Sequence, residues 1–139
     1  MFKIGVYNGG YWISMLVVSM LMGVLTVIIG TLFLKKPPKK INGIYGYRTA
    51  RSMKNLDTWQ FAQKYCGKIF VKYGIIFTIL SVILFVSITL SVKTVEDLPT
   101  WVANIIVFIG ALLLIFSIIP VEKALKNTFD KFGDRIRED

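Results

Sequence analysis

The chain has 139 residues, of which 55% are hydrophobic, with a mean hydropathy of +0.63 and a formal net charge of +9. This apolar content is far above that of a water-soluble domain of similar size and excludes an ordinary soluble protein. The positive charge raises nucleic-acid binding as an alternative, but basic residues that flank apolar segments are typical of topology determinants beside anionic lipid. We therefore expect an all-α integral membrane protein without a nucleic-acid partner.

The first predicted element is a transmembrane helix over residues 11–34, which contain no charged side chain. At 1.5 Å per residue this helix would be about 36 Å long, enough to cross a hydrocarbon core of about 30 Å. A cleaved signal peptide is the competing interpretation, but it predicts a shorter apolar core and a small-residue cleavage site. We retain the segment as a span of the mature protein.

The connection over residues 35–72 carries ten basic residues and a single acid, Asp57. By the positive-inside rule it faces the cytoplasm, which places the N-terminus outside a bacterial plasma membrane. Pro37 and Pro38 end the first helix, because proline lacks a backbone donor and disfavours helical geometry in the preceding residue. The polar segment that follows is the first candidate for a specific function.

An amphipathic helix is predicted to start at Asn55, a plausible N-cap, with Asp57 in its first turn. One side of it is apolar, and the other carries three lysines that can reach anionic head groups: Lys64, Lys68 and Lys72. The pattern fits a cytoplasmic interfacial helix between the first two spans, and it equally fits one long helix that continues into the second span. Both arrangements stay open at this point.

Two further spans are predicted over residues 73–92 and 101–121, joined by a loop so short that they form an antiparallel hairpin. Three crossings place the tail, residues 122–139, in the cytoplasm. Trp12 and Trp101 are expected as anchors at the membrane interface, and Pro120 as the end of the last helix. The whole chain is then a single membrane domain.

Small residues at helical spacing predict where helices approach closely. They lie on the first span and on the second: Ser19, Gly23, Thr26 and Gly30, then Gly74, Thr78 and Ser81. Packing within one three-helix chain is the favoured interpretation, and a seam between two copies stays open as an alternative. No other feature of the sequence indicates the oligomeric state.

The residues for most catalytic chemistry are missing from the sequence. It has no histidine and a single cysteine, Cys66, on the apolar side of the amphipathic helix, where packing is its expected role. Asp57 has no partner carboxylate between the first two spans, so acid/base catalysis by two carboxylates has no candidates there. We expect no enzyme activity, no cofactor and no metal site.

The segment from residue 42 to residue 59 is the predicted binding surface. Its members are glycines, hydroxyls, amides, aromatic rings and one fixed cation: Asn42, Tyr45, Gly46, Tyr47, Arg48, Thr49, Ser52, Asn55 and Trp59. The guanidinium of Arg48 suits a carboxylate, a phosphate or backbone carbonyls, and the rings offer flat amphipathic faces. The alternative is structural: Arg48 caps a helix or holds lipid phosphate, and the glycines serve turns.

These residues, with Ala62 and Gly67, resemble the signature of the SdpI family of small bacterial membrane proteins. The motif covers about a fifth of the chain and sits between the first two spans of a three-span unit, as in the family. The resemblance implies a plasma-membrane protein that protects its producer from a secreted toxin peptide. The name-giving member of the family also holds a cytoplasmic repressor at the membrane when toxin is present, so the resemblance implies this role as well. That member is larger, with additional spans.

Three functions follow from these observations, in order of preference. The first is immunity, in which the helices, or the outer loop with Asn104 and Trp101, bind an apolar toxin peptide in the membrane and block its action. The second is a receptor or scaffold whose basic surface recruits an acidic cytoplasmic regulator. The third is a transporter or lipid-handling protein, which would need a polar path that three spans almost free of ionisable groups do not supply without oligomerisation.

Overall fold

A computed structural model describes residues 2–93 and 100–136 of the chain. The described residues form four helices: α1 (Phe2–Lys35), α2 (Leu56–Ser91), α3 (Thr100–Phe116) and α4 (Ile118–Thr128). Three stretches are long and apolar enough to cross a membrane: Gly9–Lys35, Leu56–Ser91, and α3 with α4 as Thr100–Thr128. The protein therefore has the composition and architecture of an all-α, multi-pass membrane protein. The predicted loop between the last two spans falls largely outside the described residues.

The contact between α1 and α2 is built on four glycines, Gly23, Gly30, Gly67 and Gly74, here called the glycine seam. A Cβ placed on Gly30 would lie 2.8 Å from the carbonyl oxygen of Gly67, and one on Gly67 would lie equally close to that of Gly30. Gly74 and Gly23 repeat this contact further along, with 2.8 Å from a Cβ on Gly74 to the oxygen of Gly23. The two helices are therefore antiparallel and touch backbone to backbone. The small-residue pattern predicted this for Gly23, Gly30 and Gly74, whereas Gly67 was not part of it.

The amphipathic segment and the second span form one continuous helix. Asn55 is the N-cap of α2, as predicted, and its side chain and that of Thr58 exchange hydrogen bonds with each other's backbone N–H groups. From there α2 runs without interruption to Ser91, about 54 Å at 1.5 Å per residue. Residues 55–72 are thus not a separate helix; they begin the helix that contains the second span.

The third span differs from its prediction at its end. The helix is interrupted at Ser117 rather than ending at Pro120, and α4 then extends to Thr128. Pro120 lies in the first turn of α4, where the lack of a backbone N–H costs little. The interruption lies upstream of Pro120, because proline cannot donate a hydrogen bond to a carbonyl of the preceding helical turn. After the interruption, α4 packs on α2 through Val121 and Leu125.

Two apolar clusters form the interior of the described molecule. One lies among the three spans and contains Trp12, Phe77, Phe85, Ala103 and Ile106. The expectation for Trp12 was wrong, because its ring is buried against Phe85 and its Nε1 donates to the Thr89 hydroxyl at 2.9 Å. Trp101 is exposed, as expected for an anchor.

The second apolar cluster lies at the other end of the bundle, under the polar segment. It joins α1, α2 and α4 through six buried side chains: Phe33, Ala62, Cys66, Val121, Leu125 and Phe129. Cys66 is buried and free, in the packing role expected of it. We call this end, with residues 36–55, α4 and residues 129–136, the motif end.

Candidate functional site

The polar segment folds back over the end of α1. The carboxamide oxygen of Asn42 accepts hydrogen bonds from the backbone N–H groups of Ile44 and Tyr45, at 3.0 and 2.8 Å, which closes a tight turn. The Tyr45 ring then meets the Phe33 ring edge to face, with centroids 5.3 Å apart. Trp59 is fully buried, and its Nε1 donates to the carbonyl of Pro38 at 2.7 Å. These contacts tie the segment to both α1 and α2.

Gln63 of α2 fixes the backbone of the segment at Tyr47. Its side chain accepts from the Tyr47 N–H at 2.6 Å and donates to the Tyr47 carbonyl at 2.9 Å. Gln63 is fully buried, so these two bonds satisfy an amide that would otherwise be costly inside the protein. Gly46 makes the approach feasible: its φ is +115°, and a Cβ there would lie 2.8 Å from the Gln63 carboxamide oxygen.

Glu122 of α4 is the acceptor at the centre of the motif end. One carboxylate oxygen accepts from the Thr49 hydroxyl at 2.6 Å and from the Tyr47 hydroxyl at 3.0 Å. The other oxygen lies 3.5 Å from Nε of Arg51. Three side chains of the segment therefore converge on one residue more than 70 positions later in the chain. Charge-assisted hydrogen bonds of this kind are stronger than neutral ones.

The Tyr47 hydroxyl is held in its protonated, donating form. Burial, and after it the negative charge of Glu122, raise the pKa of Tyr47 well above the usual value for a tyrosine. The hydroxyl is therefore a permanent donor to Glu122 at physiological pH and is unsuited to act as a base. Its role in this arrangement is to position the segment.

Ser52 and Asn55 connect the segment to the start of α2 and to the tail. Ser52 is fully buried, and its hydroxyl accepts from the Thr49 N–H at 2.8 Å and donates to the Tyr47 carbonyl at 3.0 Å. Asn55 caps α2 with its oxygen and donates from its Nδ2 to the carbonyl of Gly133 at 2.7 Å. One asparagine thus stabilises a helix start and a loop 78 residues away.

Residues 129–136 form a loop, here called the C-terminal loop, that docks on the start of α2. The Asp130 side chain accepts three backbone N–H groups, those of Phe132, Gly133 and Asp134, and these bonds hold the pKa of Asp130 below its usual range. Arg135 forms two hydrogen bonds with the carboxylate of Asp57, at 2.7 and 2.9 Å. The Lys54 ammonium group donates to the carbonyl of Lys131.

The Arg48 side chain is exposed, whereas the flanking Tyr47 and Thr49 are partly buried. The ion pairs found within the described ranges are Arg51–Glu122 and Asp57–Arg135, and Arg48 takes part in neither. Among the described residues, no hydrogen bond or ion pair supports the structural alternative in which Arg48 caps a helix. Of the predicted binding residues, Arg48 is therefore the cation that the motif end presents to its surroundings.

The three predicted interfacial lysines are all exposed on α2. Two of them, Lys64 and Lys68, line a cleft of about 230 Å³ whose other wall is Arg135 of the C-terminal loop. Lys72 lies one turn further along α2 and does not line the cleft. The structure thus divides the lysine face into a pair within a cleft and a single residue outside it.

The residues that the sequence analysis missed are Gln63, Glu122 and the C-terminal loop. Gln63 could have been found, because it is an amide at helical spacing with the buried Trp59, Ala62 and Cys66. Glu122 carried a weaker signal, as the first acid after the last apolar segment. The loop gave none, since its contacts depend on how the tail returns to α2.

The polar groups of the motif are largely used within the protein. In the part of the chain that the structure describes, no buried side-chain nitrogen or oxygen lacks a hydrogen-bond partner. Within those same ranges, no cluster of three or more histidine, cysteine, aspartate or glutamate residues could hold a metal ion. The polar groups of the motif thus hold the motif end together by hydrogen bonds and leave an exposed surface around them.

Comparison with known proteins identifies the family. The model of the SdpI/YfhL protein family matches residues 39–121, which include the whole motif, the second span and most of the third. The uncharacterized protein YfhL of Bacillus subtilis (strain 168) is 31% identical over 114 residues, which cover 81% of this chain and 91% of that protein. No solved structure is significantly similar to this one. The chain belongs to the SdpI/YfhL family.

Proposed function

We propose that this member of the SdpI/YfhL family is an immunity protein that binds a secreted toxin peptide within the membrane. Family membership supports the proposal, because the sequence resemblance implies such a role. The observation that carries it is a structural connection: α3 leads through Ser117 directly into α4, and α4 presents Glu122 to Tyr47 and Thr49. A peptide bound against α3 is thereby connected to the motif at the opposite end of the bundle.

The exposed face of α3 is suited to an apolar peptide. The helix packs on its neighbours through Ala103, Ile106 and Gly110, which are buried. Its outward face carries large side chains, among them Trp101 at 65% exposure and Phe108 at 63%. Aromatic rings give large contact areas with little loss of side-chain freedom. Such a face can hold an apolar helix or strand in lipid.

Binding is favoured over transport by the close packing of the described residues around Phe77 and Gly110. The cavity beside Phe77 and Gly110 measures only about 10 Å³ and is bordered almost entirely by apolar groups. A transported solute would need a wider path with polar partners along it. The proposed toxin site is therefore on the outside of the bundle, facing lipid.

A survival assay tests the immunity proposal. A toxin-sensitive Gram-positive host expressing the protein is challenged with a killing peptide of the sporulation-delaying type, at matched membrane levels of each variant. We expect wild type to protect and the double variant Trp101→Ala/Phe108→Ala to lose at least tenfold in survival. The matched control is Leu21→Ala/Leu25→Ala, which removes apolar side chains of 54% exposure each from α1. No protection by wild type, or equal loss in both variants, would refute the proposal.

A second candidate function, recruitment of a cytoplasmic regulator, rests on the exposed surface of the motif end. Ile44 is 92% exposed and Phe132 is 71% exposed, although both lie outside the spans. Arg48, Lys54 and Lys131 supply exposed cations in the same segments. Apolar side chains among cations suit an acidic partner with apolar anchors.

Site-specific crosslinking tests this second function. A photo-crosslinker at Ile44 should capture a cytoplasmic protein in cells exposed to the toxin peptide, and Arg48→Ala should reduce the yield severalfold. Lys126→Ala, which removes an exposed cation from α4, is the matched control. A crosslink that forms equally without toxin and without Arg48 would contradict toxin-dependent recruitment.

A further inference from the structure

The cleft between α2 and the C-terminal loop has the features of an anion site. Its floor is a stripe along α2 that includes Gln60, Phe61, Lys64, Tyr65 and Lys68. The opposite wall is Arg135, which Asp57 holds in place through a bidentate ion pair. We propose that this cleft holds the phosphate group of an anionic phospholipid.

The charges in the cleft leave two cations for a ligand. Asp57 compensates Arg135, and neither Lys64 nor Lys68 belongs to an ion pair within the described ranges. The two lysines lie four residues apart on one helix, so both ammonium groups can converge on a single phosphate. Gln60 and Tyr65 add polar groups that can donate hydrogen bonds to its oxygens.

The position of the cleft favours a lipid as the source of the phosphate. In the glycine seam, Gly67 touches Gly30, so Lys68 is level with the last turns of α1. Those turns are still apolar on their outer side, where Ile29 is 41% exposed and Leu32 is 45% exposed. Lysines beside an apolar surface of this kind extend their stems along it and place the ammonium group among head groups. The cleft thus lies where a bilayer changes from hydrocarbon to phosphate.

The size and the aromatic floor of the cleft fit a head group. The Phe61 and Tyr65 rings stack with centroids 5.8 Å apart, and aromatic rings favour the membrane interface. The volume of about 230 Å³ is below the roughly 300–1,000 Å³ of pockets that enclose drug-sized molecules. The cleft can therefore take a phosphate with its attached alcohol, while the acyl chains stay in the bilayer.

Native mass spectrometry of the purified, delipidated full-length protein tests this assignment. We expect phosphatidylglycerol to bind more tightly than phosphatidylcholine with the same acyl chains. The double variant Lys64→Gln/Lys68→Gln should weaken phosphatidylglycerol binding about thirtyfold, which at 1.4 kcal/mol per tenfold corresponds to about 2 kcal/mol for two lysines beside an anionic surface. Lys72→Gln is the matched control, because it removes a neighbouring charge outside the cleft, and it should change the affinity less than twofold.

Three outcomes would overturn the proposal. Equal weakening by Lys72→Gln and by the double variant would indicate diffuse attraction to the lysine face. Equal affinity for the two lipids would exclude recognition of an anionic head group. Binding of inorganic phosphate alone, with the same dependence on Lys64 and Lys68 and with loss of the lipid, would assign the cleft to a free anion. Both variants change exposed side chains, and their melting temperatures serve as the check on folding.

Discussion

In the glycine seam, α1 and α2 are in contact through backbone atoms, whereas at the motif end the contacts run through polar side chains. At the seam the glycines have no Cβ, which lets the two backbones touch, so the contact is sensitive to added side-chain volume. At the motif end Gln63 and Glu122 supply directed hydrogen bonds, so the contact is sensitive to the loss of single atoms. The comparison shows that the first two spans are held by close backbone packing, whereas the segment after α1 is held on α2 and α4 by hydrogen bonds.

The largest effect is expected from Gly67→Val, which adds volume to the seam. A Cβ at this position would meet the Gly30 carbonyl at 2.8 Å, and backbone atoms cannot move aside cheaply. We expect a loss of about 3 kcal/mol in the free energy of unfolding, the upper part of the usual range for overpacking. Unfolding titrations in detergent measure it. Gly10→Val is the control, since nothing lies within 4 Å of a Cβ there. Equal stability of both variants would contradict a close backbone contact between α1 and α2 at Gly67.

The next effect is expected from Gln63→Leu, which keeps the volume but removes the hydrogen bonds. The Tyr47 N–H would lose its acceptor inside the protein, while the Tyr47 carbonyl would keep the Ser52 hydroxyl. An unsatisfied buried donor costs about 1–3 kcal/mol, so we expect a loss of about 2 kcal/mol. The same titration measures it, with the exposed neighbour Gln60→Leu as control. An unchanged stability of Gln63→Leu would show that the two hydrogen bonds between Gln63 and the Tyr47 backbone are dispensable.

Glu122→Ala should have a smaller effect, about 1 kcal/mol, because the side chain is partly exposed and water can replace it as an acceptor. Glu122→Gln keeps one acceptor oxygen for the Tyr47 and Thr49 hydroxyls and should retain more of the stability. The difference between the two variants measures what the hydrogen bonds contribute. The interpretation fails if glutamine destabilises as much as alanine.

The smallest effect is a pH dependence of the C-terminal loop. The pKa of Asp130 in the folded protein lies below its unfolded value of about 3.9, so its stabilising effect is fully present above that pH and is lost as the pH falls through the folded pKa. We expect the backbone amide signals of Phe132, Gly133 and Asp134 to shift below pH 4 in a titration by nuclear magnetic resonance. Asp130→Asn should abolish the shift; a midpoint well above pH 4 would contradict the bonding pattern.

The sequence predicted what depends on local pattern. The spans follow from the length of charge-free segments, the start of α2 from Asn55 and Asp57, and the seam positions Gly23, Gly30 and Gly74 from small residues at helical spacing. Trp12 was misplaced, because tryptophan near a span end has the same composition signal whether it faces lipid or the bundle. No local pattern in the sequence indicated whether residues 56–72 form a separate helix or continue into the second span.

The candidate site was predicted in its members but not in its contacts. The motif residues were identified, yet their partners Glu122 and Gly133 lie more than 70 positions later in the chain. Such pairings depend on the interruption at Ser117 and on the path of the tail, which no short-range pattern encodes. The binding role of the motif stays a prediction, concentrated on Arg48.

The inward orientation of Tyr47, Thr49, Ser52, Asn55 and Trp59 has a consequence for how family membership is used. Two proteins that share these residues attach the segment after α1 and the C-terminal loop to the start of α2 in the same way. The shared residues therefore indicate a common architecture. Differences in partner should instead be encoded at the exposed positions between them, such as Ile44, Arg48 and Phe132. Transfer of function from one member to another is therefore best judged on those outward residues.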